Sequence, residues 1–226
     1  MEYHVNILMK EFVTHNVRRF VVEKPPGFTF IPGQATDCTI DLPQWNDKTN
    51  PFTFTSLNRD RVLEFTIKGY PERKGVTKKL HELNPGTPLI IRKPFGTINY
   101  HGKGVFFAGG AGITPFLAIF RQLQLDGTLL GNSLYFSNKT SRDVIVEKEL
   151  KEMFGSHLVL ILSEEKKDGY EYGEINKEYL KKRIQNLSNH FYLCGPKLFV
   201  KSLKEALEDR GADPKKIVIE AGFIDE

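Results

Sequence analysis

The chain has 226 residues, 40% of them hydrophobic and 27% charged, and 32 Lys and Arg against 28 Asp and Glu give a formal net charge of +4. That length holds one large domain or two of about 100 residues each, and the composition excludes a disordered chain. The charge is mild, and lysines interleave with acids, as in "KEYLKKRIQ" and "KSLKEALEDR". This argues against a nucleic-acid surface, which needs a concentrated basic stripe with aromatic platforms.

In chain order, residues 1–99 are dominated by short alternating runs: "YHVNILM", "RRFVVEK", "ATDCTIDL", "PFTFTSL", "VLEFTIKGY" and "TPLIIRK". The punctuating "KPPG", "IPGQ", "NRDR" and "NPGT" supply turn residues, so this half is predicted to be an antiparallel six-stranded β-barrel. After the short linker "NYHGKG", residues 104–226 alternate strand-like and helix-like segments: "VFFA", "PFLAIFRQLQ", "SLYFS", "VEKELKEMF", "LVLILS", "INKEYLKKRIQ", "FYLC", "PKLFVKSLKEALEDRG" and "IVIE". That alternation predicts a Rossmann-like α/β domain with a parallel sheet and helices on both faces.

Cys38 and Cys194 lie far apart in apolar, strand-like stretches and read as buried thiols of a reducing compartment. Two cysteines are too few for a four-thiolate iron–sulfur cluster, so no fused cluster domain is expected. The six histidines, His4, His15, His81, His101, His157 and His190, show no metal-ligand spacing. The opening "MEYHVNILMKEF" lacks a signal-peptide core, and the apolar run "GVFFAGGAGITPFLAIF" is broken by glycines and Thr-Pro. A cytoplasmic protein without a membrane span, metal or nucleic-acid partner is therefore expected.

Chemistry is concentrated in "GGAGITPF", residues 109–116. The pattern predicts a strand over Val105–Ala108, a tight turn over Gly109–Gly112, and a helix with Thr114 as N-cap and Pro115 at its first position. Such a turn aims helix N–H groups at whatever lies above the strand end, and a pyrophosphate fits there. Gly110 and Gly112 match the first two glycines of GxGxxG, and Pro115 stands at the third. A plain strand-to-helix turn is the other reading, although three glycines exceed what a turn requires. "YLCGPKLF", residues 192–199, repeats the strand-to-helix junction with a Gly-Pro pair.

Together "GGAGITP", "CGP", "PFTFTS" and "KGVTKKL" resemble the ferredoxin-NADP reductase superfamily, in the family's order and over nearly the whole chain. The resemblance implies a flavin-binding barrel followed by a nicotinamide-dinucleotide domain. The family's Arg-x-Tyr-Ser/Thr motif falls on Asn50, Pro51, Phe52 and Thr53. Phe52 would lie against the isoalloxazine and Thr53 would offer its hydroxyl to flavin N5; by periodicity alone the two are simply opposite faces of a barrel strand. Lys68 matches a position beside the ribityl and phosphate region, and Gly75, Val76 and Thr77 match the loop that holds the flavin pyrophosphate, where a surface turn is the alternative. Asn50 replaces the arginine that would pair with the flavin phosphate, leaving Arg73, Lys74 and Lys78 to compensate. FAD is the expected cofactor and FMN the alternative.

The same resemblance places Gly110, Gly112, Ile113, Thr114 and Pro115 at the nicotinamide dinucleotide's pyrophosphate. It places Cys194, Gly195 and Pro196 near the nicotinamide ring, with a buried core thiol as the other reading of Cys194, and Glu220 and Phe223 as C-terminal residues closing over it. Thr53, Cys194 and Glu220 are thus the candidate catalytic residues. NADP-dependent members often carry a Ser-Arg pair after the third strand of this domain, where Ser163 and Glu164 stand here, so NADH is favoured over NADPH. Lys139, Lys166 and Lys167 are cations that could still reach a 2′-phosphate. The implied activity is hydride transfer from NAD(P)H to flavin, with electrons passing to a separate redox protein such as ferredoxin, flavodoxin or an oxygenase component. A small-molecule acceptor, free flavin or ferric chelate, and a non-catalytic dinucleotide sensor are the alternatives.

Overall fold

The computed structural model describes residues 1–72 and 74–220, which form two compact units. The first comprises Met1–Gly96 together with Thr114–Gln122. Its strands are β1 (Glu2–Phe12), β2 (Val17–Glu23), β3 (Ala35–Ile40), β4 (Thr49–Thr53), β5 (Val62–Lys68) and β6 (Pro88–Arg92), in the order β4-β3-β6-β1-β2-β5 with antiparallel pairing throughout. An isolated bridge between Phe54 and Phe65 joins the two outer strands, so the sheet is a nearly closed barrel.

Period two fills the barrel interior. Val5 and Ile7 of β1, Phe20 and Val22 of β2, Cys38 and Ile40 of β3, Leu63, Phe65 and Ile67 of β5, and Leu89 and Ile91 of β6 are all buried. Phe54 stacks on Phe30 at 4.3 Å and leans on Phe65 at 5.2 Å; each such ring contributes about 1.5–3 kcal/mol by burial. Helix α1 (Val76–Glu82) presses Val76 and Leu80 into the same core. In its last turn His81 donates Nε2–H to the Ile67 carbonyl at 2.9 Å, and burial lowers its pKa.

The second unit comprises Thr97–Ile113 and the chain from Leu123 onward. Its strands are β7 (Gly104–Gly109), β8 (Ser133–Asn138), β9 (Leu158–Leu162), β10 (Glu171–Tyr172), β11 (His190–Cys194) and β12 (Ile217–Val218), in the order β10-β9-β8-β7-β11-β12, all parallel. The chain leaves β7 toward β8 on one side and returns to β11 on the other. The switch point, where open parallel sheets bind ligands beyond their carboxyl ends, therefore lies between β7 and β11. Helix α2 (Thr114–Leu125) follows β7, α3 (Glu147–Phe154) lies between β8 and β9, α4 (Lys177–Arg183) precedes β11, and α5 (Lys197–Glu208) follows it. Val200, Leu203, Ala206 and Leu207 form one helical stripe on α5 and pack with Val105, Phe107 and Leu193 of the sheet.

Two local features differ from the sequence reading. Residues Gly110–Ile113 form a 3-10 turn that runs straight into α2, so Thr114 is the first residue of the helix and not its cap. 3-10 turns are frequent at the N-termini of α-helices, and here one occupies the place at which the sequence pattern set the cap. The two-residue strand β10 was not foreseen. No helix among the described residues is long and apolar enough to cross a membrane.

Candidate functional site

At the switch point the two glycine-containing junctions touch backbone to backbone. A Cβ at Gly112 would collide with the carbonyl of Cys194 and the amide nitrogen of Gly195. Gly112 is therefore required by the close approach of the second junction, and the glycine richness of "GGAGITP" serves protein packing as well as any ligand. Gly110 differs. Its φ of +52° is a left-handed conformation, and nothing lies within 4 Å of the place where a side chain would begin. One open position thus remains above the carboxyl end of β7, followed by buried Ile113 and then by Thr114 and Pro115 in the first turn of α2.

On the β11 side, Cys194 pairs with Ala108, and Gly195 and Pro196 lead into α5, whose start has no side-chain cap. Burial pushes the Cys194 thiol up to about 12, and the Glu220 carboxylate adds to this while a backbone hydrogen bond at Gly195 opposes it. The thiol is neutral at physiological pH and is no thiolate nucleophile. Glu220 is tied through Oε1 to the backbone N–H of Thr97 at 3.2 Å. Phe223 lies outside the described residues.

Beyond the ends of β8 and β9 lies a cavity of about 650 Å³ lined by Ser137, Ser163, Glu174, Phe199, Ser202 and Glu205, among others. Ser163 is the member named from sequence; its N–H donates to the Asn138 carbonyl at 3.0 Å. The Asn138 amide is buried at the end of β8, and neither of its polar atoms has a hydrogen-bond partner among the described residues. Beside it Lys139 and Glu164 form an ion pair at 2.7 Å, both side chains more than half exposed, and the carboxylate raises the lysine pKa. The lysine that could reach a phosphate is thus engaged by the acid that would repel one. Lys167 donates to the Ser141 hydroxyl at 2.9 Å, and Lys166 lies over the Tyr172 ring.

In the first unit, Asn50, Pro51, Phe52 and Thr53 lie along β4 opposite Cys38, Asp37, Thr36 and Ala35. Phe52 is half-buried and packs partly on the barrel core, so part of its ring serves the fold. Thr53 faces the other way, half-exposed, and its hydroxyl makes no hydrogen bond among the described residues. Lys68 ends β5, its ammonium 5.9 Å from the Tyr70 ring. Gly75 precedes α1 with open space where a side chain would stand, Val76 is buried in the core, and Thr77 is half-exposed. Lys74 is exposed and Lys78 half-exposed, while Arg73 lies outside the described residues.

These residues fit the groups that the fold implies. A free hydroxyl at Thr53 and an open glycine before α1 suit a flavin, and the open Gly110 at the switch point suits a dinucleotide pyrophosphate. Among the described residues no group of three or more His, Cys, Asp or Glu could hold a metal ion.

A barrel of this topology preceding a parallel sheet with a glycine turn at its switch point is the architecture found in two-unit flavin- and dinucleotide-dependent oxidoreductases. Residues 106–205 match the family model of the oxidoreductase NAD-binding domain. The chain is 25% identical over 227 residues to the ferredoxin–NAD(P)(+) reductase component of the naphthalene 1,2-dioxygenase system of Pseudomonas putida, covering 96% of this chain and 68% of that protein. It is 28% identical over 230 residues to NADH–cytochrome b5 reductase 1 of Arabidopsis thaliana, covering 92% and 80%. The flavohem-like FAD/NAD binding domain of nitric oxide dioxygenase from Vibrio cholerae O1 biovar El Tor shares the fold, with a TM-score of 0.85 at 19% identity over 96% of this chain and 98% of that one. Residues 106–205 thus carry an oxidoreductase NAD-binding domain, and the chain resembles, along nearly its whole length, the FAD- and NAD(P)H-dependent reductases of the ferredoxin-NADP reductase superfamily.

Proposed function

We propose that this reductase passes electrons from NADH to a separate redox protein, such as a ferredoxin, a flavodoxin or an oxygenase component. The observation that carries the reading is the pairing of two junctions, Gly110–Ile113 and Cys194–Pro196, in backbone contact at the switch point of the parallel sheet. The reductase component from Pseudomonas putida and the glycine betaine monooxygenase reductase subunit of Chromohalobacter salexigens, 24% identical, support the choice of acceptor class. Residues 1–99 would hold FAD and residues 104–226 the nicotinamide dinucleotide.

Held by these residues, a bound FAD would supply the chemistry that couples a two-electron nicotinamide donor to one-electron acceptors. The residues of this chain supply alignment and exclude water. Thr53 would donate its unengaged hydroxyl to the flavin N5 edge, and the ring of Phe52 would cover one flavin face with the area that it does not bury in the barrel. Backbone N–H groups of Gly75–Thr77 would receive the flavin pyrophosphate, and Lys68 would stand near it. Gly110–Pro115 would receive the pyrophosphate of NADH, and Cys194–Pro196 would border its nicotinamide. The cavity beyond β8 and β9 would take the adenosine half; its wall sets Glu174 and Glu205 against the single cation Lys201, with Glu164 outside, a balance that disfavours a 2′-phosphate and favours NADH.

Flavin released by denaturation should be FAD in one-to-one ratio, and NADH should bleach the yellow holoprotein without oxygen. An acceptor screen then compares protein acceptors with free flavin and ferric chelate. Fast bleaching with turnover only on small molecules would overturn the acceptor class, and a colourless protein with no flavin affinity would overturn the whole reading.

A further inference from the structure

The last described residues are tied down by a residue that no motif marks. Thr97 donates its hydroxyl to the Ile219 carbonyl at 2.9 Å and its backbone N–H to Glu220 Oε1 at 3.2 Å, with the hydroxyl a further 3.5 Å from that same oxygen. Ile219 is buried, so the tether acts at a packed point of the chain. Strand β12 pairs with β11 through Phe191 and Ile217, then Tyr192 and Val218. Continued by two residues, that register sets Glu220 alongside Cys194. Thr97, Cys194 and Glu220 all belong to the second unit.

We propose that Thr97 is a positioning residue that holds the Glu220 carboxylate beside Cys194, at the end of the site assigned above to the nicotinamide. The inference rests on that reading for its catalytic meaning, but the geometry it asserts is independent of any bound coenzyme. A carboxylate beside a thiol disfavours the thiolate, and Glu220 is the charge that bears on Cys194 among the described residues, with the Gly195 backbone hydrogen bond acting in the opposite sense. Removing the Thr97 hydroxyl leaves the backbone N–H bond to Glu220 but takes away the anchor on the Ile219 carbonyl, so the segment that bears the carboxylate loosens, the carboxylate moves toward water and the thiol becomes easier to ionise. A tether that merely fastened the chain would not act through the charge of Glu220.

The test uses full-length holoprotein without NADH and follows iodoacetamide labelling of the Cys194 peptide by mass spectrometry at pH 8.5, with the Cys38 peptide as the internal measure of global opening. Thr97→Val should raise the Cys194 rate about threefold or more and leave Cys38 unchanged, and Thr97→Ser should restore the wild-type rate. Glu220→Gln should raise it at least as much, and adding Thr97→Val to Glu220→Gln should change little more, since a residue that acts through another loses its effect when that other is neutral. If Thr97→Val does not fold, Thr97→Ala carries the same expectation. A wild-type rate in the Thr97 variant, or effects of the two substitutions that multiply, would overturn the proposal. Neither result depends on flavin reduction, so failure here and failure of the reductase reading are separable.

Discussion

Two glycines two residues apart have different reasons to be glycine, and the difference is measurable. A methyl group at Gly112 would have to displace the Cys194–Gly195 backbone, which cannot yield as a flexible side chain would. At Gly110 a methyl group meets open space, and the penalty is the left-handed φ, about 1–2 kcal/mol. Gly112→Ala should therefore lower both stability and NADH affinity, whereas Gly110→Ala should lower stability by only about 1–2 kcal/mol and act on affinity through the ligand it crowds. Urea unfolding and NADH titration of both variants check this; equal losses of stability would remove the distinction. The coenzyme preference is likewise a matter of single residues. Glu164→Arg removes an anion and frees Lys139 from its 2.7 Å pair. An exposed pair of this kind is worth less than about 1 kcal/mol, so the shift comes mainly from the two cations then available to a 2′-phosphate. The NADPH to NADH ratio of kcat/KM should rise about tenfold at low salt and less at high salt. A ratio that does not move would show that this position does not read the ribose.

At the scale of elements, one arginine ties helix α2 to strand β5 within the first unit. Arg121 donates Nη1 to Glu64 Oε1 at 2.8 Å and to the Thr55 carbonyl, and the Thr55 hydroxyl donates to the same carboxylate oxygen at 2.7 Å. Both charged side chains are mostly buried, at 19% and 14% exposure, so removing Arg121 leaves the Glu64 carboxylate poorly solvated, with the longer, 3.6 Å contact to Arg19 as its remaining ion pair among the described residues. Arg121→Met should cost about 2–4 kcal/mol in urea unfolding, Glu64→Gln a similar amount, and the double variant clearly less than their sum. Strict additivity would mean that the pair is not coupled. None of this was legible in the sequence, because Arg121 and Glu64 lie 57 positions apart and each sits in an ordinary amphipathic run. The barrel strands were legible because "VLEFTIK" and its companions keep period two, and the α/β alternation because each buried strand is followed by a helical stripe. Strand β10, at two residues, is too short to show any period. Within the candidate site, the positions along β4 and at the two junctions were read from motifs. Glu174, Phe199 and Glu205 gather around the cavity only through the fold, as does the tether from Thr97 to Glu220, 123 positions apart.

The whole molecule carries neutral groups that burial keeps neutral, and these set its behaviour in alkali. Burial pushes the Cys38 and Cys194 thiols up from 9.0 to about 12, and burial together with Glu147 raises the Tyr170 phenol to about 12 as well. In the unfolded chain each thiol releases its proton near pH 9, whereas the folded chain retains it to about pH 12. Between these values the unfolded state binds fewer protons than the native one, so the free energy of unfolding falls as pH rises. The contribution is fully present below pH 9 and is lost progressively above it. Each proton of difference is worth about 1.4 kcal/mol per pH unit. Cys38 is the better site to test, since it lies inside the barrel, in β3, and has no part in the proposed site. Cys38→Val keeps a similar volume and suits a strand, so it should unfold normally at pH 7. Urea melts from pH 8 to 10.5 should show a stability that declines less steeply in the variant than in the wild type, by up to the slope of one proton. Identical slopes would mean that the thiol titrates alike in both states and that its burial does not contribute to the alkaline limit of the fold.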